Sequence, residues 1–100
     1  MLKKRVIASI LLSNGLVVQS VGFKRHMPIG KLENVLYFLE KWDIDEVMIL
    51  DISASRDRRS FNCELLQRAS KSIFVSLTVG GGIRSLRDVE NVVKSGAEKV

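Results

Sequence analysis

A parallel α/β fold is the class this chain's sequence predicts, and three observations predict it. Short, β-rich apolar runs recur at Arg5 to Leu12, Glu46 to Ile52 and Ile73 to Val79, and another opens at Lys99-Val100. They are continuous rather than alternating, as strands buried on both faces read. Helix-period segments lie between them, so the order is β-α-β-α-β-α-β, and helical crossovers make the strands parallel in one sheet. The third run stops in Gly80-Gly81-Gly82, a turn between a strand and the helix that follows.

Taken in order, the first strand closes at Ser13-Asn14-Gly15. That is a hairpin-turn signal, so Leu16-Val17-Val18 is expected to double back as a small extra strand. Gln19 to Gly30 then reads as an extended loop, and loops that long are usually lids or binding segments. In Lys31 to Lys41, Leu32, Val35, Leu36 and Leu39 share one helix face. Leu65, Leu66 and Ala69 do the same from Asn62 to Ser70. Val89, Val92 and Val93 follow from Leu86 to Ser95, with Gly96 as the C-cap. Asp88 and Glu90 near the start of that helix and Lys94 near its end suit its dipole.

Apolar content of 46% with a single proline indicates a packed fold, and 100 residues make one small domain or a piece of a larger one. Cys63 is the only cysteine, which rules out an internal disulfide and leaves a reducing cytoplasm as the simplest location. Lys3-Lys4-Arg5 ahead of an apolar run loosely imitates a secretory signal. The run is short, however, and ends in a turn rather than a small-residue cleavage site. No run approaches the ~20 apolar residues that cross a bilayer, so no membrane partner is expected. Phe23 beside Lys24-Arg25-His26 raises nucleic acid, but four phenylalanines, one tyrosine and one tryptophan are too scattered to form a stacking cluster.

The formal charge of +5 suits an anionic partner, and its placement says more. In parallel βα architecture the loops that follow strands emerge on one face. Here they carry Lys24, Arg25, His26, Arg56, Arg58, Arg59 and Arg84 against one acid, Asp57. The opposite face is mixed, with Lys3, Lys4 and Arg5 beside Asp43, Asp45, Glu46 and Glu98. A glycine turn that opens into a helix offers backbone N–H groups and a positive dipole end to an anion, most often phosphate. A phosphorylated small molecule is therefore the expected ligand, with neither cofactor nor metal. Three and a half βα units do not close a barrel, which takes about 250 residues, so residues 1–100 are expected to be the front part of one longer barrel domain.

Three stretches carry a resemblance to a known family. Lys4-Arg5-Val6-Ile7-Ala8, Leu50-Asp51-Ile52-Ser53-Ala54-Ser55 and Leu77-Thr78-Val79-Gly80-Gly81-Gly82-Ile83-Arg84 resemble the cyclase subunit of imidazole glycerol phosphate synthase, and Gly96-Ala97-Glu98-Lys99-Val100 fits as well. The resemblance implies a (β/α)₈ barrel, a lyase and cyclase subunit of a glutamine amidotransferase complex in histidine biosynthesis. It would take ammonia from a glutaminase partner, docked as a heterodimer at the barrel's bottom. Its products would be imidazole glycerol phosphate and an aminoimidazole carboxamide ribotide. By the same resemblance Asp51 lies in the active site and Gly82, with Gly80 and Gly81, holds a substrate phosphate. Arg5, Glu46 and Lys99 are implied members of a charged ring that gates ammonia, and Glu98 matches an acidic position that docks the glutaminase. Read without the resemblance, Arg5, Glu46 and Lys99 make an ordinary salt-bridge cluster at the strand starts.

The chain also departs from the family pattern. Leu11 stands where the family has a general acid/base aspartate, and leucine transfers no proton. Ser9 replaces a cysteine and Gln19 a lysine. Leu11-Leu12 resembles instead the paralogous branch of surface-polysaccharide gene sets, whose members would pass ammonia toward amidino-sugar formation. The alternative is a non-catalytic scaffold that binds and activates a glutaminase. Ser9 and Ser13 have no nameable base and read as structural, Cys63 reads as packing, and His26 either contacts a phosphate or has no role.

Overall fold

A computed structural model describes residues 6–21, 25–54, 59–71 and 73–100. The elements run β1 (Ile7–Ser13), β2 (Leu16–Val21), β3 (Arg25–Gly30), α1 (Leu32–Lys41), β4 (Glu46–Asp51), α2 (Cys63–Ser70), β5 (Ser76–Gly80) and α3 (Leu86–Lys94). They form one sheet in the order β3-β2-β1-β4-β5. β1, β4 and β5 pair in parallel, as the helical crossovers require, while β2 and β3 fold back antiparallel onto β1. A parallel bridge from Thr78 to Lys99 opens a further strand beside β5, where the last apolar run places it. This is a mixed α/β architecture consistent with part of a (β/α)₈ barrel.

Side chains alternate across a strand, and the register sorts them into two faces. Ile10, Leu12, Val47, Ile49, Leu77 and Val79 pack against Leu32, Leu36, Leu65, Leu66, Ala69 and Val92 of the helices to form the core. Leu36 and Leu66 are fully buried, each contributing about 1.5–3 kcal/mol. The helices begin where local chemistry starts them. Asn62 caps α2 by accepting from the Leu65 N–H at 3.1 Å, and Ser85 caps α3 by accepting from the Asp88 N–H at 3.1 Å.

Three expectations need correcting. Burial on both faces holds for one face only: Ile7 and Ser9 are exposed, and Leu11, Met48 and Leu50 are half-buried. In its described residues the stretch from Gln19 to Gly30 is strand rather than extended loop. Gln19 to Val21 continue β2, and Arg25–Gly30 pairs with it as β3. Pro28 hides that strand from sequence reasoning, because it gives the ladder no N–H. It is tolerated at the sheet's edge, opposite Val18, where the β2–β3 register shifts. The third parallel strand starts at Ser76 rather than Ile73. Phe74 is turned out to solvent, and its N–H goes to the Glu40 carboxylate at 3.0 Å instead of to the sheet.

Candidate functional site

The ends of β4 and β5 meet at one rim. The backbone turns sharply at Gly81 (φ +97) and Gly82 (φ +74), a region that L side chains rarely adopt. Both glycines are also needed for space. A Cβ at Gly81 would run into the Asp51 carbonyl, and one at Gly82 would lie 2.6 Å from the Arg59 carbonyl oxygen and 2.9 Å from the Phe61 nitrogen. The triple-glycine bend therefore packs directly on the end of β4 and on the loop that leads into α2. Arg84 crosses the same gap, its Nη2 donating to the Arg59 carbonyl at 2.9 Å. The second and third strand exits thus share a rim, as parallel topology predicts.

Asp51 closes β4 and is almost fully buried. Its Oδ1 accepts three hydrogen bonds: from the Ser53 N–H at 2.9 Å, the Ser53 hydroxyl at 2.8 Å and the Ala54 N–H at 3.0 Å. This is an aspartate ordering the turn that follows it. With Oδ1 taken, Oδ2 is the oxygen left for any ligand. The Ser53 hydroxyl in turn accepts from the Arg59 Nη2 at 2.8 Å and from the Asn14 N–H at 3.0 Å. Charge on one partner makes the Arg59 bond stronger than a neutral one.

The neighbouring row of the sheet is apolar. Leu11 pairs with Leu50, and Leu50 with Gly80, so these three lie side by side on the face away from the helices. A Cβ at Gly80 would lie 2.9 Å from Leu50 Cδ2. Asp51 belongs to the alternate row, opposite Leu12. Leu11 is thus flanked by hydrocarbon, with Val18 on one side and Leu50 on the other.

Five residues separate this rim from the strand starts, roughly 16 Å of β4. There Glu46 is buried on the same face as Leu50, and its Oε1 accepts from the Lys99 ammonium at 3.0 Å and from the Thr78 hydroxyl at 2.9 Å. Glu98 is exposed, and its Oε2 accepts from the Ser76 hydroxyl at 2.7 Å. Of the expected site residues, then, Asp51 and Gly80 to Gly82 come together at one end, while Glu46, Lys99 and Glu98 gather at the other. Arg5, Lys24, Arg56 and Arg58 lie outside the described residues, as do the side chains of Arg25 and His26. Sequence reasoning missed Thr78 and did not single out Ser53. Neither is charged, and the only sign of the latter was its place two residues after an aspartate that ends a strand.

Comparison with known proteins identifies relatives over the whole chain. Residues 5–100 match the family described as histidine biosynthesis protein. A Vibrio vulnificus protein provisionally named imidazole glycerol phosphate synthase subunit hisF2 is 46% identical over all 100 residues, which cover 37% of its length. The imidazole glycerol phosphate synthase subunit HisF of Thermococcus gammatolerans is 39% identical over the whole chain, which covers 40% of that protein. A Campylobacter jejuni protein, also provisionally named as a hisF2 subunit, is 37% identical over the same span, again 40% of its length. The chain spans about two-fifths of the length of these relatives. Given a match over nearly every residue, this chain belongs to the histidine biosynthesis protein family.

Proposed function

We propose that this chain is the front portion of a cyclase-type subunit of the imidazole glycerol phosphate synthase family, one (β/α)₈ domain that works with ammonia supplied by a glutaminase subunit. The observation that carries the reading is the polarity of the parallel strands: the glycine turn and Asp51 at their ends, the Glu46–Lys99 pair at their starts. In this reading the backbone at Gly80, Gly81 and Gly82 receives a substrate phosphate, and Asp51 presents Oδ2 to the reacting molecule. Glu46 and Lys99, with Arg5, form the gate through which ammonia enters. Glu98 sits on the surface that meets the glutaminase, and the complex works in the cytoplasm as a heterodimer.

Leu11 supports the finer reading. Set beside Leu50 and Gly80, it supplies no proton relay where a cyclase needs one. Histidine-pathway cyclisation is therefore weak or absent, and the ammonia serves another acceptor, as in the paralogues tied to surface-polysaccharide and lipopolysaccharide synthesis. The names of the Vibrio and Campylobacter relatives, both designated hisF2, agree with a second branch. The apolar row also favours a second reading, a non-catalytic scaffold that binds and activates a glutaminase through Glu98 and its neighbours. The test is to give the full-length protein the ribulosyl formimino-carboxamide bisphosphate with ammonium salts. Turnover near that of an authentic cyclase would refute the loss of cyclisation. Glutaminase stimulation on mixing, with no turnover of any phosphorylated acceptor, would favour the scaffold.

A further inference from the structure

One hydroxyl joins three separate segments at the rim. Ser53, wholly buried, donates to Asp51 Oδ1 at 2.8 Å. It accepts from the Asn14 N–H, in the hairpin turn after β1, at 3.0 Å. It also accepts from Arg59 Nη2, in the loop before α2, at 2.8 Å. A serine hydroxyl has one donor and two acceptor sites, so this one is used in full. Arg59 continues the connection. Its N–H donates to the Ala54 carbonyl at 2.7 Å, its own carbonyl takes the Arg84 guanidinium, and that carbonyl sets the space allowed to Gly82.

We propose that Ser53 is a positioning residue of the candidate site, holding the Asp51 carboxylate with Oδ1 turned inward and Oδ2 toward the rim, and tying it through Arg59 to the glycine turn. The geometry is why a hydroxyl is needed here. Two N–H donors, from Asn14 and Arg59, converge on a point that must also donate to a carboxylate. Only a group that accepts twice and donates once meets all three demands. An alanine would take the shared acceptor from both donors and remove one of the three bonds on Oδ1, loosening the hold on the carboxylate. The inference rests on the reading of Asp51 as a ligand-facing group.

The test is calorimetric titration of the full-length protein with imidazole glycerol phosphate as the probe, thermal melting confirming that each variant is folded. Asp51→Ala and Ser53→Ala are each expected to weaken binding about tenfold, the scale of one hydrogen bond to a charged group. Ser53→Thr, which keeps the hydroxyl, is expected to stay within about threefold of the parent, whereas Ser53→Cys, close in size but a weak donor, should behave like alanine. In the Asp51→Ala background Ser53→Ala should add little, because the two act as a unit. Unchanged binding in Ser53→Ala and Ser53→Cys overturns the inference, and so does an equal loss in both backgrounds, the mark of a purely structural serine. If the parent binds the probe and Asp51→Ala binds as well, the reading of Asp51 fails and the inference falls with it. No binding by the parent rules out imidazole glycerol phosphate as the molecule that Asp51 faces, and the inference falls with it.

Discussion

Lys99 Nζ lies 3.0 Å from Glu46 Oε1, tying the residue that opens the strand beyond β5 to the one that begins β4, 53 positions earlier. The Glu46 side chain is nearly buried, while that of Lys99 is half-exposed. The exposed partner weakens the pair, since water and salt screen it. Lys99→Met should therefore lower the stability of the full-length protein by about 1 kcal/mol, with Thr78 still donating to the carboxylate. Denaturant melts at low and high salt check this. The difference between parent and variant should shrink as salt rises, and a salt-independent difference would point to lost packing by the lysine stem instead.

The glycine turn makes a graded prediction. At Gly82 a positive φ and two backbone atoms within 2.9 Å of a would-be Cβ combine, and neither atom can yield without moving the loop before α2. Gly82→Ala should cost at least about 2 kcal/mol even without ligand, because the strained backbone and the clash act together. Gly80 has only the flexible tip of Leu50 to displace, so Gly80→Ala should cost about 1 kcal/mol or less. Thermal melts of the two variants, free of ligand, compare them directly. Equal losses would mean that the close approach of the two loops is wrong.

Asp88 gives a pH dependence whose sign is determined. The Arg84 N–H donates to its Oδ2 at 3.0 Å and outweighs the opposing desolvation, and with smaller contributions from Ser60 and Ser85 this holds the carboxyl below its ordinary value of 3.8. A carboxylate favoured in the folded state contributes stability that is present above 3.8 and is lost as pH falls through the lower folded value. Asp88→Asn should accordingly lower the melting temperature at pH 6, and the gap from the parent should narrow toward pH 2. A gap that is constant with pH would show that the carboxylate's charge plays no part. Ser85→Ala, which removes the cap on the Asp88 N–H, should cost about 1 kcal/mol near neutral pH.

The parts of the fold legible in the sequence were those held by burial. Leu36, Leu66 and Val92 mark their helices because one face of each must meet the sheet, and Val47, Ile49, Leu77 and Val79 mark strands for the same reason. β3 escaped because its identity lies in backbone pairing at an edge, where no apolar stripe is required and a proline is allowed. The glycine turn was legible, but part of its cause was not. Ligand chemistry explains bare N–H groups, yet only coordinates reveal that Gly81 and Gly82 also have the backbones of Asp51 and Arg59 pressed against them. Hydrogen-bond hubs such as Ser53 left almost no trace, since a serine in a turn looks the same whether it joins one segment or three.

Leu11 sets the last prediction, because it is where fold and chemistry pull in opposite directions. It lies between Val18 and Leu50 in the sheet, half-buried and with hydrocarbon on both sides. Leu11→Asp introduces a carboxylate there and removes apolar contact, at a cost of about 1–3 kcal/mol. On the proposed reading the same change restores an acid/base group, so turnover of the formimino bisphosphate with ammonium salts should rise above the parent's. The two effects separate by experiment: melting temperature falls whatever the substrate, while turnover rises only if the rest of the site is still shaped for that bisphosphate. A folded Leu11→Asp protein with no gain in turnover would mean that the site has diverged beyond one residue, and would direct the search toward a different phosphorylated acceptor.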